Sequence, residues 1–325
     1  MATTLTITSP TYAGEAAKGY LAAALLEGNT IAKGGIEVRQ NIRYKQVMQK
    51  IATDANVIKN GSCDFDATST VTLTERVLQP EEFQSNLQFC KKDFVPTWEA
   101  MELGMSAHKN IPKSFSDFVL GHVAGLIAEK TEQNIWEGVN SNAGEFDGLV
   151  PLALADSDVI DVASHAAVTA SNVIAKLGSI VDAIPSKLYN KDDMYVYVSQ
   201  NIARAYVRAL GGFSSGIGAA GTDSKGTQWY NGSGELSFDG VKLFVANGLN
   251  DNTAMATQKS NIFYGTGLLN DMNEAKVIDM APMDGSQNFR VVMRYTSGVQ
   301  YAIAVSYTHL RAHETREDRG WRGLG

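Results

Sequence analysis

The sequence predicts an α+β protein, and three observations predict it. Apolar residues recur at helical spacing in a long central segment and alternate with polar residues in an earlier one. The C-terminal third closes with a run of strand-like segments. No internal repeat organises the chain.

The elements follow in order. Turn residues in "SPTYAGEAAKGYLAAALLEGNT" precede an Ala/Leu-rich helix over about 14–26, with Gly28 and Asn29 as its stop. In "GIEVRQNIRYKQVMQKI" Ile36, Val38, Ile42 and Tyr44 interleave with Glu37, Arg39, Arg43 and Lys45, the pattern of a strand with one wet face. "CDFDATSTVTLTERVLQP" repeats that signature, with Val71 and Leu73 between threonines. Together they predict a long two-stranded arm whose charged and Thr-rich faces project rather than pack. "PKSFSDFVLGHVAGLIAEKTEQNIWEG" is the clearest helix. Ser114 and Asp117 form a capping box. Phe115, Phe118, Val119, His122, Val123, Leu126 and Ile127 then share one face, and Gly138 ends a rod of roughly 36 Å.

"NSNAGEFDGLVPLALAD" reads as a turn-rich exit. A second helix puts Val173, Ile174, Leu177, Ile180, Val181 and Ile184 on one face, with Pro185 near its end. "MYVYVS" is a strand rich in aromatic and β-branched residues, and Ser199 caps a helix over "QNIARAYVRAL". A long Gly/Ser-rich loop runs from Gly211 to Gly234, a length that is uncommon inside compact domains without a function. "VKLFVAN", "SNIFYGT", "AKVIDMA" and "NFRVVMRYTSGVQYAIA" are the closing strands.

The 325 residues, 44% hydrophobic, suffice for a large core and roughly two domains. The formal charge of −7 makes tight gripping of a phosphate backbone improbable. Cys63 and Cys90 read as free, buried thiols of a reducing compartment. The N-terminus lacks the basic and apolar regions of a signal peptide, and "YLAAALLEG" is too short to span a bilayer.

Catalytic patterns are absent. "GAAGTDSKGT" lacks the phosphate-loop order, and no H-E-x-x-H, G-x-S-x-G or C-x-x-C occurs. His122, on the apolar face of the long helix, reads as a structural histidine; His108 and His165 read as solvated. Asp64 and Asp66 lack a third carboxylate at calcium-loop spacing, so no metal is expected, and no cofactor. Lys91 and Lys92 suit an inter-subunit ion pair. Trp98, Trp136 and Trp229 suit packing or interface anchors, because no Arg/Lys cluster surrounds them. The residues therefore describe a body with projecting parts that neighbours would cover.

The order of these elements resembles the HK97-type major capsid proteins of tailed bacteriophages. "TLTERVLQPEEFQSNLQFCKKDFVPTWEA" and "FVLGHVAGLIAEKTEQNIWEG" are similar to those of crAss-like and other Bacteroidetes phages. "NIWEGVNSNAGEFDGLVPLA" resembles the exit from the family's spine helix, and "FDGVKLFVANGL" and "NFRVVMRYTSGVQYAIA" resemble later strands. The resemblance covers about residues 1–304. It implies an N-terminal arm over 1–35, an extended β-hairpin loop over 36–79, a peripheral domain over 80–149 and 258–304, and an axial domain over 150–257. It implies a non-enzymatic subunit that self-assembles through pentamers and hexamers into an icosahedral head. The head encloses double-stranded DNA without reading its sequence, and assembles in the bacterial cytoplasm with separate scaffold and portal proteins and no membrane. Inter-subunit contacts are expected from Arg39, Arg43, Lys45, Lys91, Lys92, Trp98, Gly216, Gly218 and Trp229. An encapsulin-like compartment shell is the alternative on the same fold, and a soluble enzyme with a Gly-rich lid is a more distant one.

The last 21 residues break the composition. Four of the eleven arginines and two of the five histidines fall at or after Val305. "VSYTHLRAHET" is similar, over eleven consecutive residues, to one reading frame of a transposase-type sequencing adapter. The segment 305–325 is therefore expected to be a non-native tail without function, in which any helix would pack poorly.

Overall fold

A computed structural model describes residues 28–53, 58, 60–61, 63, 69–90, 113–162, 167–189, 191–210, 236–267, 274–304 and 307–311. Three sheets and two main cores make up this part of the chain.

After a short helix α1 (Asn29–Ala32), strand β1 (Glu37–Arg39) runs parallel to β10 (Ile262–Thr266). The strand expected to continue through Tyr44 breaks here. Asn41 has a positive φ of 63°, which turns the chain out of the body. The arm proper is β2 (Gln46–Thr53) paired antiparallel with β3 (Val71–Leu78). Its outgoing strand re-enters the body as β4 (Glu81–Cys90). Phe83, Leu87 and Phe89 of β4 turn toward the core while Glu82, Gln84, Asn86 and Gln88 are exposed, an alternation the sequence carries.

The long helix α2 (Lys113–Glu137) forms, but it begins at Lys113, so Ser114 lies within its first turn and is not the expected N-cap. Its buried stripe keeps Val119, Val123 and Ile127 of the predicted one and widens to Leu120, Ala124, Ala128, Ile135 and Trp136, while His122 and Leu126 are exposed. His122 is thus a solvated residue and not part of the core. Helix α3 (Leu149–Ala155) replaces the expected irregular exit, because Pro151 lies in its first turn, where no amide hydrogen bond is lost. Against α2 and α3 packs a five-stranded sheet centred on the fourteen-residue β12 (Asn288–Tyr301), which pairs with β4, β10 and β11 (Glu274–Asp279).

The second lobe holds α4 (Val173–Asp182) and α5 (Gln200–Leu210), both as expected, against a six-stranded sheet. Its order is β5 (Ile160–Asp161), β13 (Tyr307–Arg311), β9 (Thr253–Gln258), β6 (Met194–Val198), β8 (Val241–Val245) and β7 (Leu236–Phe238). β13 lies inside the segment expected to be a non-native tail, and it is a strand, not a helix. Its ladder to β9 and β5 is made by main-chain groups, which every residue other than proline carries in full. A four-residue helix α6 (Ala281–Asp284) joins β11 to β12. Cys63 is exposed and Cys90 half-buried, both as free thiols, so the expectation of two buried thiols is corrected.

The two lobes and the N-terminal segment meet at one buried junction. Thr30 donates through its amide (3.0 Å) and its hydroxyl (2.5 Å) to the Glu132 carboxylate, and Trp136 Nε1 donates to the Thr30 hydroxyl at 2.8 Å. Tyr197, from the second lobe, lies 5.1 Å from the Trp136 ring and donates to the Gly35 carbonyl at 2.5 Å. Gly248 is required here, since a Cβ on it would sit 2.1 Å from the Glu132 carbonyl oxygen.

Candidate assembly surface: the arm and its root

On one face of the arm the register sets Gln49, Thr53 and Glu75 beside four apolar residues, Val47, Ile51, Leu73 and Val71. All four are exposed, Ile51 by 70% and Leu73 by 64%. The opposite face carries Met48, Arg76 and Leu78, which turn to the body. The pattern of charges and threonines predicted a projecting arm without saying which face would be bare. The alternation around Ile51 and Leu73 was visible, but a two-stranded hairpin has no second layer of its own, so its apolar face is left uncovered.

The root is fixed in three ways. Leu78 is fully buried with Ile42 and Phe263. Gly265 of β10 and Gly298 of β12 are cross-strand partners, and added Cβ atoms would lie 3.1 Å from Pro80 Cγ and 3.0 Å from the Gln79 carbonyl oxygen. This glycine pair lets the chain pass flat across the sheet. Third, Arg76 forms an ion pair with Asp156, at the end of α3, and its guanidinium sits 4.4 Å above the Tyr301 ring. The Tyr301 hydroxyl lies 2.8 Å from Asp156 Oδ2, and the Asp158 amide donates to Asp156 Oδ1 at 3.0 Å. Although partial burial opposes it, hydrogen bonds from Arg76, the Asp158 amide and Tyr301 hold the Asp156 carboxyl down to about 2. Burial, with the neighbouring carboxylate, pushes the Tyr301 phenol up to about 12.

Of the predicted contact residues, three lie near this surface. Arg39 is on β1 rather than the arm, and is engaged within its own chain: 2.6 Å from Glu37 and 5.1 Å above the Phe263 ring. Arg43 and Lys45 are exposed in the connection between β1 and β2, with the Lys45 ammonium 5.8 Å from the Tyr44 ring centre. Lys91, Lys92, Trp98, Gly216, Gly218 and Trp229 lie outside the described residues, as do the predicted first helix and the Gly-rich loop.

No group of three or more His, Cys, Asp or Glu is arranged to hold a metal among the described residues. A recess of about 520 Å³ beside the junction is lined by Asn29, Glu129, Glu132, Gln133, Gln200 and Asn247 among others, a set of amides and carboxylates without a nucleophile beside a base. No helix among the described residues is long and apolar enough to cross a membrane.

No family model and no curated protein sequence matches the chain. Solved structures do. The capsid of Myoviridae phage XM1 aligns at a TM-score of 0.55 and 11% identity, over 87% of this chain and 91% of the other. A chain of Gordonia phage Cozz aligns at 0.56 and 11% identity, over 88% and 87%. The fold is that of a phage capsid subunit. The virus-like particle from Pyrococcus furiosus shares this capsid fold at a TM-score of 0.50 and 7% identity, over 92% of this chain and 99% of the other.

Proposed function

We propose that the chain is the shell-forming subunit of a tailed-phage head, an HK97-type major capsid protein of the crAss-like kind. One observation carries the reading: a capsid fold over most of the chain presents an arm whose outer face leaves four apolar side chains bare around a Gln49–Glu75 pair. In a monomer that face costs solubility. In a closed shell each arm lies on a second copy of the chain, and many such contacts, repeated by symmetry, sum to a stable particle.

In this reading 36–79 is the extended loop, 80–149 with 258–304 the peripheral domain, and 150–257 the axial domain at five-fold and six-fold centres. Arg43 and Lys45 flank the arm as inter-subunit charges, with Lys91, Lys92, Trp98, Gly216, Gly218 and Trp229 as further contacts. Scaffold and portal proteins would be separate chains, the content double-stranded DNA, and the role structural. The tail 305–325 would play no part beyond filling the strand position of β13. The likeness to the Pyrococcus particle supports a compartment shell as the second reading.

Negative-stain electron microscopy of the full chain with a co-expressed scaffold tests the proposal. Closed shells, or rings of five and six subunits, are expected. A monomer at high concentration in every salt condition would contradict it. Particles filled with protein rather than DNA, in the source host, would move the reading to the compartment shell.

A further inference from the structure

The arm has two unlike faces, and something must decide which is turned outward. The three groups at its root come from distant parts of the chain: Arg76 on β3, Asp156 at the end of α3, and Tyr301 at the end of β12. We propose that Arg76, held between the Asp156 carboxylate and the Tyr301 ring, is the positioning residue that fixes the arm's roll and so offers the Val47–Ile51–Leu73–Val71 face to the neighbouring copy. The proposal rests on the reading of the arm as a contact between copies.

The geometry supports it in three ways. Arg76 and Leu78 lie on the same face of the hairpin, opposite the bare apolar face, so anchoring one face turns the other away from the body. Leu78 anchors by burial alone, which resists lifting but has little directional preference. A guanidinium is planar and directional: one edge meets the carboxylate while its plane lies against a ring, and a lysine cannot do both. The carboxylate is itself held, by the Asp158 amide and the Tyr301 hydroxyl, so the anchor does not swing with the arm. Gln300 adds a weaker tie, from its Nε2 to the Val77 carbonyl at 3.4 Å.

The test separates arm geometry from assembly. Ile51→Glu is placed in the full chain to hold it unassembled. Cys63 and Cys90 are replaced by serine, and spin labels are attached through Thr72→Cys on the arm and Leu154→Cys on α3. The expected distance distribution has one narrow peak. Arg76→Ala loses that peak to a broad distribution, Arg76→Lys restores it in part, and the charge-reversed pair Arg76→Asp with Asp156→Arg restores it further than either single change. Without Ile51→Glu, Arg76→Ala is expected to lose closed shells in favour of open or irregular sheets. If Arg76→Ala melts well below the parent chain, Tyr301→Leu, which removes the stacking ring together with its hydroxyl's bond to Asp156 and leaves the Arg76–Asp156 pair, takes its place.

An unchanged narrow peak in Arg76→Ala overturns the proposal whatever the particles look like. A broadened peak with unchanged shells overturns it too, because the roll would then not matter to assembly. Normal shells from Ile51→Glu would instead overturn the docking reading, while the spin-label result would still judge the clamp.

Discussion

The buried junction and the arm are built by opposite means. At the junction, Thr30, Glu132, Trp136 and Tyr197 satisfy one another, and Trp136 and Tyr197 are wholly covered. The arm keeps a complete backbone ladder, yet four of its apolar side chains face solvent. The first region is finished within one chain; the second is finished by another. Stability should therefore reside in the junction, and association in the arm.

The largest effect is expected from Gly248→Ala. The added methyl collides with the backbone of α2, and the change should cost about 4 kcal/mol or more, read as loss of the folded signal in chemical denaturation. Leu78→Ala follows. It empties a fully buried site at the arm root and should cost about 3 kcal/mol while α2 keeps its hydrogen-exchange protection.

The two regions should also respond to acid with opposite signs. Burial raises the Glu132 carboxyl, against the hydrogen bonds from Thr30, Gly248 and Trp136. Its stabilising share is present in acid and is lost as pH rises from the ordinary carboxyl value through the raised one. Asp156 is held at about 2, so its share is present above the ordinary value and is lost as pH falls toward 2. Denaturation midpoints across pH should show Glu132→Gln removing the neutral-side loss and Asp156→Asn the acid-side one. The smallest effect on the isolated chain is expected from Ile51→Ser, within about 0.5 kcal/mol, because the side chain touches little there. A destabilisation well beyond that would place Ile51 inside the fold of its own subunit.

Local pattern was enough to read the helices and the closing strands. Val173, Leu177, Ile180 and Val181 declare α4 by spacing alone. β9 was not legible: "TAMATQ" is buried on both faces between β6 and β13, so it shows no alternation and few β-branched residues. The stripe of α2 was legible at Val119, Val123 and Ile127, but its full width was not, because the covered face also includes Ala124, Ala128, Thr131 and Glu132, types that announce no burial. α3 was hidden behind Gly148 and Pro151, which read as a turn until the first-turn position of the proline is known. The arm was legible as a hairpin, and its bare face could have been found by asking what covers Ile51 and Leu73. The clamp could not. Residues 76, 156 and 301 share no motif, and folding alone brings them together.

Amide hydrogen exchange, resolved by peptide, compares unassembled and assembled chains most directly. The account predicts that peptides of β2 and β3 exchange fast in the free subunit and become strongly protected in the particle, while α2 peptides around Glu132 stay protected in both. Arm peptides that exchange equally fast in the particle would contradict it, since the apolar face would then have found no neighbour.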